Sequence, residues 1–385
     1  MRDVRRASPV EVEVDFGAGA TTLHPSTNVL DLRPGKQGRV PADGPVRWDA
    51  LDALPQLLTV LWAGPARGIV EAIAARPGIR FLYWFDAEGH IDLTGTRLGS
   101  VRVDGLGLRG IRLPNSVREL VLGRPPAHFD GTPPTATIDG TLHVEAADNG
   151  HQLDLRIVHY GADVVIPDGL RRASSLWLSV GGDVSATVLS GLTDLETLRL
   201  TFDRAPGAIS ELTELSRHTR LRSIEFDDAY GLVVAELPEL AALQALELHG
   251  TRRATAAAVK SRYRGGPVSV CVSGAKTDQW LAVYMDNPFR DWVHESKAFG
   301  KAVCEAYNRA RQAADAVGTD DPNGASLAQR ALHGLVADLN AIDDKYHLID
   351  TILREQAWDA YSDLARQLGV PSSQADSWFD DQRRF

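Results

Sequence analysis

The stretch "LETLRLTF", Leu195 to Phe202, places Leu195, Leu198 and Leu200 three and then two residues apart, with charged or hydroxyl side chains between them. Alternation of this kind describes a half-apolar strand that sends one set of side chains inward and the other outward. Near-copies follow as "LRSIEF" (Leu221, Ile224, Phe226), "LQALEL" (Leu243, Leu246, Leu248) and "PVSVCV" (Val270, Val272). The anchors Leu195, Leu221 and Leu243 step by 26 and 22 residues. Looser versions lie upstream: "IRFLYW" (Ile79, Leu82, Trp84), "LGSVRV" (Leu98, Val101, Val103), "VRELVL" (Val117, Leu120, Leu122), "TLHVEA" (Leu142, Val144), "LDLRIV" (Leu155, Ile157) and "SSLWLSV" (Leu176, Leu178). Together they make about ten units of one strand plus a return segment, stacked with their strands in parallel. No single unit can bury its own leucines, so the stack must do it collectively.

This pattern resembles the leucine-rich repeat family over residues 54–274, most closely in the last four units. The resemblance implies an α/β fold: a leucine-rich-repeat solenoid with a parallel β-sheet on its concave face, which binds a protein or peptide partner. The family's pattern continues to an asparagine three residues past the last leucine, whose side chain satisfies the turn. Asp203, Ala229, Thr251 and Ala275 occupy the matching positions, so that ladder is missing and the units are irregular. Helical spacing marks the return segments "ISELTELSRHTR" (Ile209 to Arg220) and "ELPELAAL" (Glu236 to Leu243). The segment 123–140, "GRPPAHFDGTPPTATIDG", is punctuated by Pro and Gly and is expected to be a loop.

An open stack needs its first unit covered. "VEVEVDF" (Val10 to Phe16) alternates as a strand and "HPSTNVLDLRPG" reads as turn, strand, turn, so residues 1–53 are expected to form an N-terminal β cap. After Gly274 the apolar period changes from 2 to 3.6, and residues 275–385 are expected to be an all-α bundle. Its first helix is expected to start at Asn287 as N-cap, with Pro288 in the first helical position and a stop at Gly318. Its stripe runs through Phe289, Trp292, Phe299, Val303 and Tyr307. A second helix carries Leu332, Leu335 and Leu339, a third carries Ile349, Leu353, Ala357, Tyr361 and Leu364, and a short last segment holds Trp378 and Phe379.

Formal charge is 41 − 51 = −10, which repels phosphate backbones and anionic head groups, so nucleic acid and membrane surfaces are not expected partners. Two cysteines in unrelated contexts, Cys271 and Cys304, make neither a disulfide framework nor a metal knuckle and suit a reducing compartment. The opening "MRDVRRASPVEVEVDF" has no apolar core of a secretory signal, and no apolar run approaches the roughly 20 residues of a membrane span. We therefore expect a cytoplasmic protein. Its Ala, Arg, Gly and Asp richness agrees with a bacterial coding sequence, and low Met and Cys content with both ends of the stack covered argues for a monomer.

Outward strand positions beside the inward leucines form the candidate partner-binding set: Tyr83, Arg102, His143, Trp177, Arg199, Glu225, Asp227, Glu247 and His249, with Cys271 at the end. Aromatic side chains flanked by charges suit protein recognition, because a rigid ring supplies area while charges set register. No cofactor and no catalytic constellation are expected. Cys304 invites comparison with bacterial leucine-rich-repeat effectors whose helical ubiquitin-ligase domain carries a Cys-x-Asp nucleophile; here the motif is "CEA", and Cys304 belongs to the apolar stripe. "GLGLRG" (Gly105 to Gly110) lacks the helix that a dinucleotide loop opens. Two further readings come from the C-terminal part. The run "LNAIDDKYHLIDTILREQA" is similar to segments of small helical bacterial proteins, including some immunity proteins that neutralise toxins. Asp343, His347 and Asp350, at i, i+4 and i+7 of one helix, would converge on a divalent metal and make a metal-dependent enzyme or regulator.

Overall fold

The strand pattern closes into one long sheet. A computed structural model describes residues 11–123, 141–159, 164–204, 206–317 and 324–385. In it, eleven described strands pair in parallel: Val29–Asp31, Thr59–Ala63, Phe81–Phe85, Ser100–Val103, Glu119–Leu122, Asp154–His159, Ser175–Val180, Thr197–Phe202, Ser223–Asp227, Ala245–His249 and Ser269–Ser273. The long parallel sheet agrees with the expectation drawn from the leucine-rich-repeat resemblance, and the helical C-terminal region with the change of apolar period after Gly274. The chain divides into two compact units, Met1–Ala275 and Lys276–Phe385.

In the central strands the alternating apolar positions face the core. Leu198, Leu200 and Phe202 lie in register with Leu176, Leu178 and Val180 on one side; Leu198 and Leu200 lie in register with Ile224 and Phe226 on the other. All eight are at most 3% exposed. Burying each such side chain contributes about 1.5–3 kcal/mol, so the stack is held by its interior ladder of leucines.

The return segments differ from their helical expectation. Ile209 to Arg220 forms a 3₁₀ turn, Leu212–Arg217, and Glu236 to Leu243 is reached through another, Val234–Glu236. Leu212 and Leu215 are three apart, and a three-residue period places both on the core side, where they are buried. Pro238 lacks the N–H that would carry a helix through the second segment. Where the family's asparagine ladder is missing, Thr251 substitutes at one level: its buried hydroxyl donates to the Ala229 carbonyl. Beside it Gly250 adopts φ +80°, and a Cβ there would meet the Asp228 carboxylate, so this turn requires glycine. The Pro/Gly-rich segment from Arg124 to Gly140 lies outside the described residues.

Two strand assignments also change. "TLHVEA" does not enter the long sheet. Its strand His143–Glu145 pairs with Gly107–Arg112, which pairs with Glu88–Asp92, in a separate three-stranded parallel sheet. Val12–Asp15 forms an antiparallel pair with Ala20–Leu23, whereas Val29–Asp31, within the segment read as a cap, is the edge strand of the long sheet.

The second unit is helical, with helices Asp278–Tyr284, Lys297–Asp315, Gly324–Tyr346, Thr351–Gln367 and Ser372–Gln382. Its core gathers Phe289, Trp292, Phe299, Val303, Leu335, Tyr361 and Phe379 among others. Asn287 caps no long helix. Its side-chain oxygen accepts from the Phe289 N–H while its amide donates to the Cys304 carbonyl, so it pins the bend between two helices from inside the core. The long helix starts ten residues later, at Lys297. Gly300 lets the 3₁₀ turn Arg290–His294 press on that helix, since a Cβ would stand 2.4 Å from the Val293 nitrogen. The expected stop at Gly318 lies outside the described residues.

Leu198→Ala should lower the stability of the first unit by about 2–5 kcal/mol in urea unfolding, because its cavity opens in the middle of the ladder. A loss below about 0.5 kcal/mol would mean that the strand is not packed as described.

Candidate functional site

Parallel pairing in constant register lines up one residue from every strand of the long sheet. The row runs Asp31, Leu61, Tyr83, Arg102, Val121, Arg156, Trp177, Arg199, Glu225, Glu247, Cys271. Two residues further along the strands, Thr201, Asp227, His249 and Ser273 form a second row. Both rows point away from the leucines, since the side-chain period of a strand is two. Eight of the nine candidate residues therefore share one face. His143 does not; it is exposed on the smaller sheet, 3.6 Å from Glu145, which also binds Arg112.

At the centre, Trp177 lies between two guanidinium groups. Arg156 is 3.7 Å and Arg199 4.2 Å from its ring centroid. Each cation–π contact is worth about 0.5–1 kcal/mol at an exposed site and more when desolvated. The indole N–H donates to Thr201 Oγ1 at 3.0 Å, and Thr201 donates in turn to Asp227 Oδ2 at 2.9 Å. The ring is thus fixed on both faces and at its edge. Towards the N-terminal side a second cation–π pair, Arg102 over Tyr83 at 5.0 Å, continues the basic and aromatic half of the row.

Towards the C-terminal side the sign reverses. Arg199 binds Asp227 at 2.7 Å and reaches Glu225 at 3.5 Å. His249 Nε2 stands 3.5 Å from Glu225 and 3.3 Å from Glu247, and its Nδ1 is 2.7 Å from Ser273 Oγ. Three carboxylates here face one guanidinium and one imidazole. Burial raises the Glu225 pKa above the usual carboxylate value; Arg199 opposes the shift and Asp227 adds to it. Cys271, exposed, closes the row beside Glu247.

Arg156 and Thr201 were absent from the sequence-based set, although both had a signal. Arg156 sits between Leu155 and Ile157 as Trp177 sits between Leu176 and Leu178, and Thr201 shares the outward parity of Arg199. The C-terminal metal reading fails on backbone geometry. The helix ends at Tyr346, and His347 has φ +52°, so the three residues do not share one helical face. Asp343 accepts from the Ile349 N–H in the connecting turn, and Asp350 accepts from the Leu353 N–H as the N-cap of the next helix. Cys304 is buried and its thiol is pushed up to about 12 by desolvation, which suppresses the thiolate that a nucleophile needs.

No protein-family model and no curated protein matches this chain. Among solved structures it is similar to an internalin, InlF, from Listeria monocytogenes: 12% identity, 67% of this chain and 89% of that chain covered, and a TM-score of 0.31. No described helix is long and apolar enough to cross a membrane.

Because the fold raises the Glu225 pKa, its ionised form works against folding. This penalty is full above the raised pKa and vanishes as the pH falls below the value of 4.5 for an unperturbed glutamate. With chelator present, Glu225→Gln should melt at or above the wild-type temperature at pH 7, and the two curves should converge by about pH 4. A lower melting temperature for the variant at pH 7 would show that its ion pairs outweigh its burial.

Proposed function

We propose that residues 54–274 stack as an irregular leucine-rich-repeat solenoid that binds a protein or peptide partner on its concave strand face, without catalysis. The observation that carries this reading is the row itself. It sets an aromatic ring, clamped by Arg156 and Arg199, between a basic half and an acidic half. A ring already fixed loses little conformational freedom on binding, and flanking charges of opposite sign select orientation and register. A side chain that merely needed solvation would gain nothing from this arrangement. The contact set on this reading is Tyr83, Arg102, Arg156, Trp177, Arg199, Glu225, Asp227, Glu247 and His249. His143 belongs to a different surface and leaves the set.

The remaining features agree with this role. Net charge of −10 disfavours nucleic acid and anionic membranes. Free cysteines, one of them exposed, suit a reducing cytoplasm and a monomer that works without disulfides. The helical unit is read as a separate element of residues 275–385.

Affinity capture from source-cell lysate, comparing wild type with a Trp177→Ala, Glu225→Ala, Glu247→Ala triple variant, tests the reading. A protein retained by wild type and lost by the variant, with the variant still folded by circular dichroism, is the expected result. Equal recovery on both columns would move recognition off this face.

A further inference from the structure

The acidic half of the face has the geometry of a metal shell. His249 Nε2 lies 3.5 Å from Glu225 Oε1 and 3.3 Å from Glu247 Oε2. One ligand atom each from Glu225, Asp227 and His249 also falls within 4.8 Å of the others. Tetrahedral ligands at zinc bond lengths of about 2.0–2.2 Å stand about 3.3–3.6 Å from one another, so both separations from His249 Nε2 already match that spacing.

Two details favour a cation there. Ser273 Oγ holds His249 Nδ1 at 2.7 Å, the kind of outer partner that orients a metal-binding imidazole and leaves Nε2 for the metal. Arg199 and Thr201 both engage Oδ2 of Asp227, while among the described residues no hydrogen bond reaches Oδ1. Arg199 is no obstacle to Glu225, which it meets only at 3.5 Å, and it keeps the Trp177 ring as a partner when a metal takes that carboxylate. The site is reachable, since the His249 side chain is 36% exposed.

We propose that Glu225, Asp227 and His249 bind a divalent transition metal of the Zn²⁺ class, with Glu247 completing the shell. An imidazole among carboxylates suits zinc, whereas Mg²⁺ and Ca²⁺ take oxygen ligands. Its ligands come from the neighbouring strands Ser223–Asp227 and Ala245–His249, so the ion would tie these two strands together on their exposed side.

The test uses full-length protein stripped with EDTA and titrated with ZnCl₂ alone by calorimetry, with bound metal counted by mass spectrometry after dialysis. Wild type should bind one equivalent. His249→Ala and the isosteric Glu225→Gln should each weaken binding by at least about tenfold, and Ser273→Ala by less, with circular dichroism unchanged. Replacing zinc by Co²⁺ should give visible bands that His249→Ala abolishes. Absence of saturable binding by wild type, or equal affinity and spectra for folded His249→Ala, would overturn the site. No partner protein enters this measurement, so its failure and that of the proposed binding function are separable.

Discussion

Register is the constraint on which the first unit depends. Side chains alternate along a strand with period two, so a slip of one residue would carry a strand's leucines to solvent and bring its arginine or glutamate inside. Burial of Leu198, Leu200, Ile224, Phe226, Leu246 and Leu248 therefore fixes more than stability. It also determines which outward residues become neighbours. Trp177 meets Arg156 and Arg199 because Leu176 and Leu178 are held level with Leu155 and Ile157 on one side and with Leu198 and Leu200 on the other.

The outward face is consequently a product of the core. At its centre the side chains come from different strands yet touch in sequence: ring on guanidinium, guanidinium on carboxylate, carboxylate beside imidazole. Arg199 is the hinge of this arrangement, because it both stacks on Trp177 and neutralises Asp227. Exposed ion pairs of this kind add little to stability. The same groups would supply orientation and charge selectivity to a partner that excludes water, and that difference is why we propose function rather than folding for this face.

Strands were legible in the sequence because their period is short and local. Long-range choices were less so. His143 alternates as cleanly as Trp177, and alternation says nothing about which sheet a strand joins; only its pairing with Gly110 separates it. In the return segments Leu212 and Leu215 are spaced three apart, which fits an α-helix and a 3₁₀ turn alike until the core decides. Asn287 and Asp350 both have the chemistry of a cap, and only Asp350 starts a helix. Asp343, His347 and Asp350 have the spacing of one helical face, but the backbone turns left-handed at His347 itself. Arg156 has the outward parity of Trp177, set between Leu155 and Ile157 as Trp177 is between Leu176 and Leu178.

The most direct test of the central claim, that the outward row contacts a partner, is site-specific photo-crosslinking in source-cell extract. A benzophenone amino acid would replace Trp177 or Glu247 on the face, or Val233 on a return segment, where the native side chain is 46% exposed. Adducts to the same protein from positions 177 and 247, and none from 233, are the predicted result. Adducts from 233 with none from the row would place recognition on another surface and contradict the account.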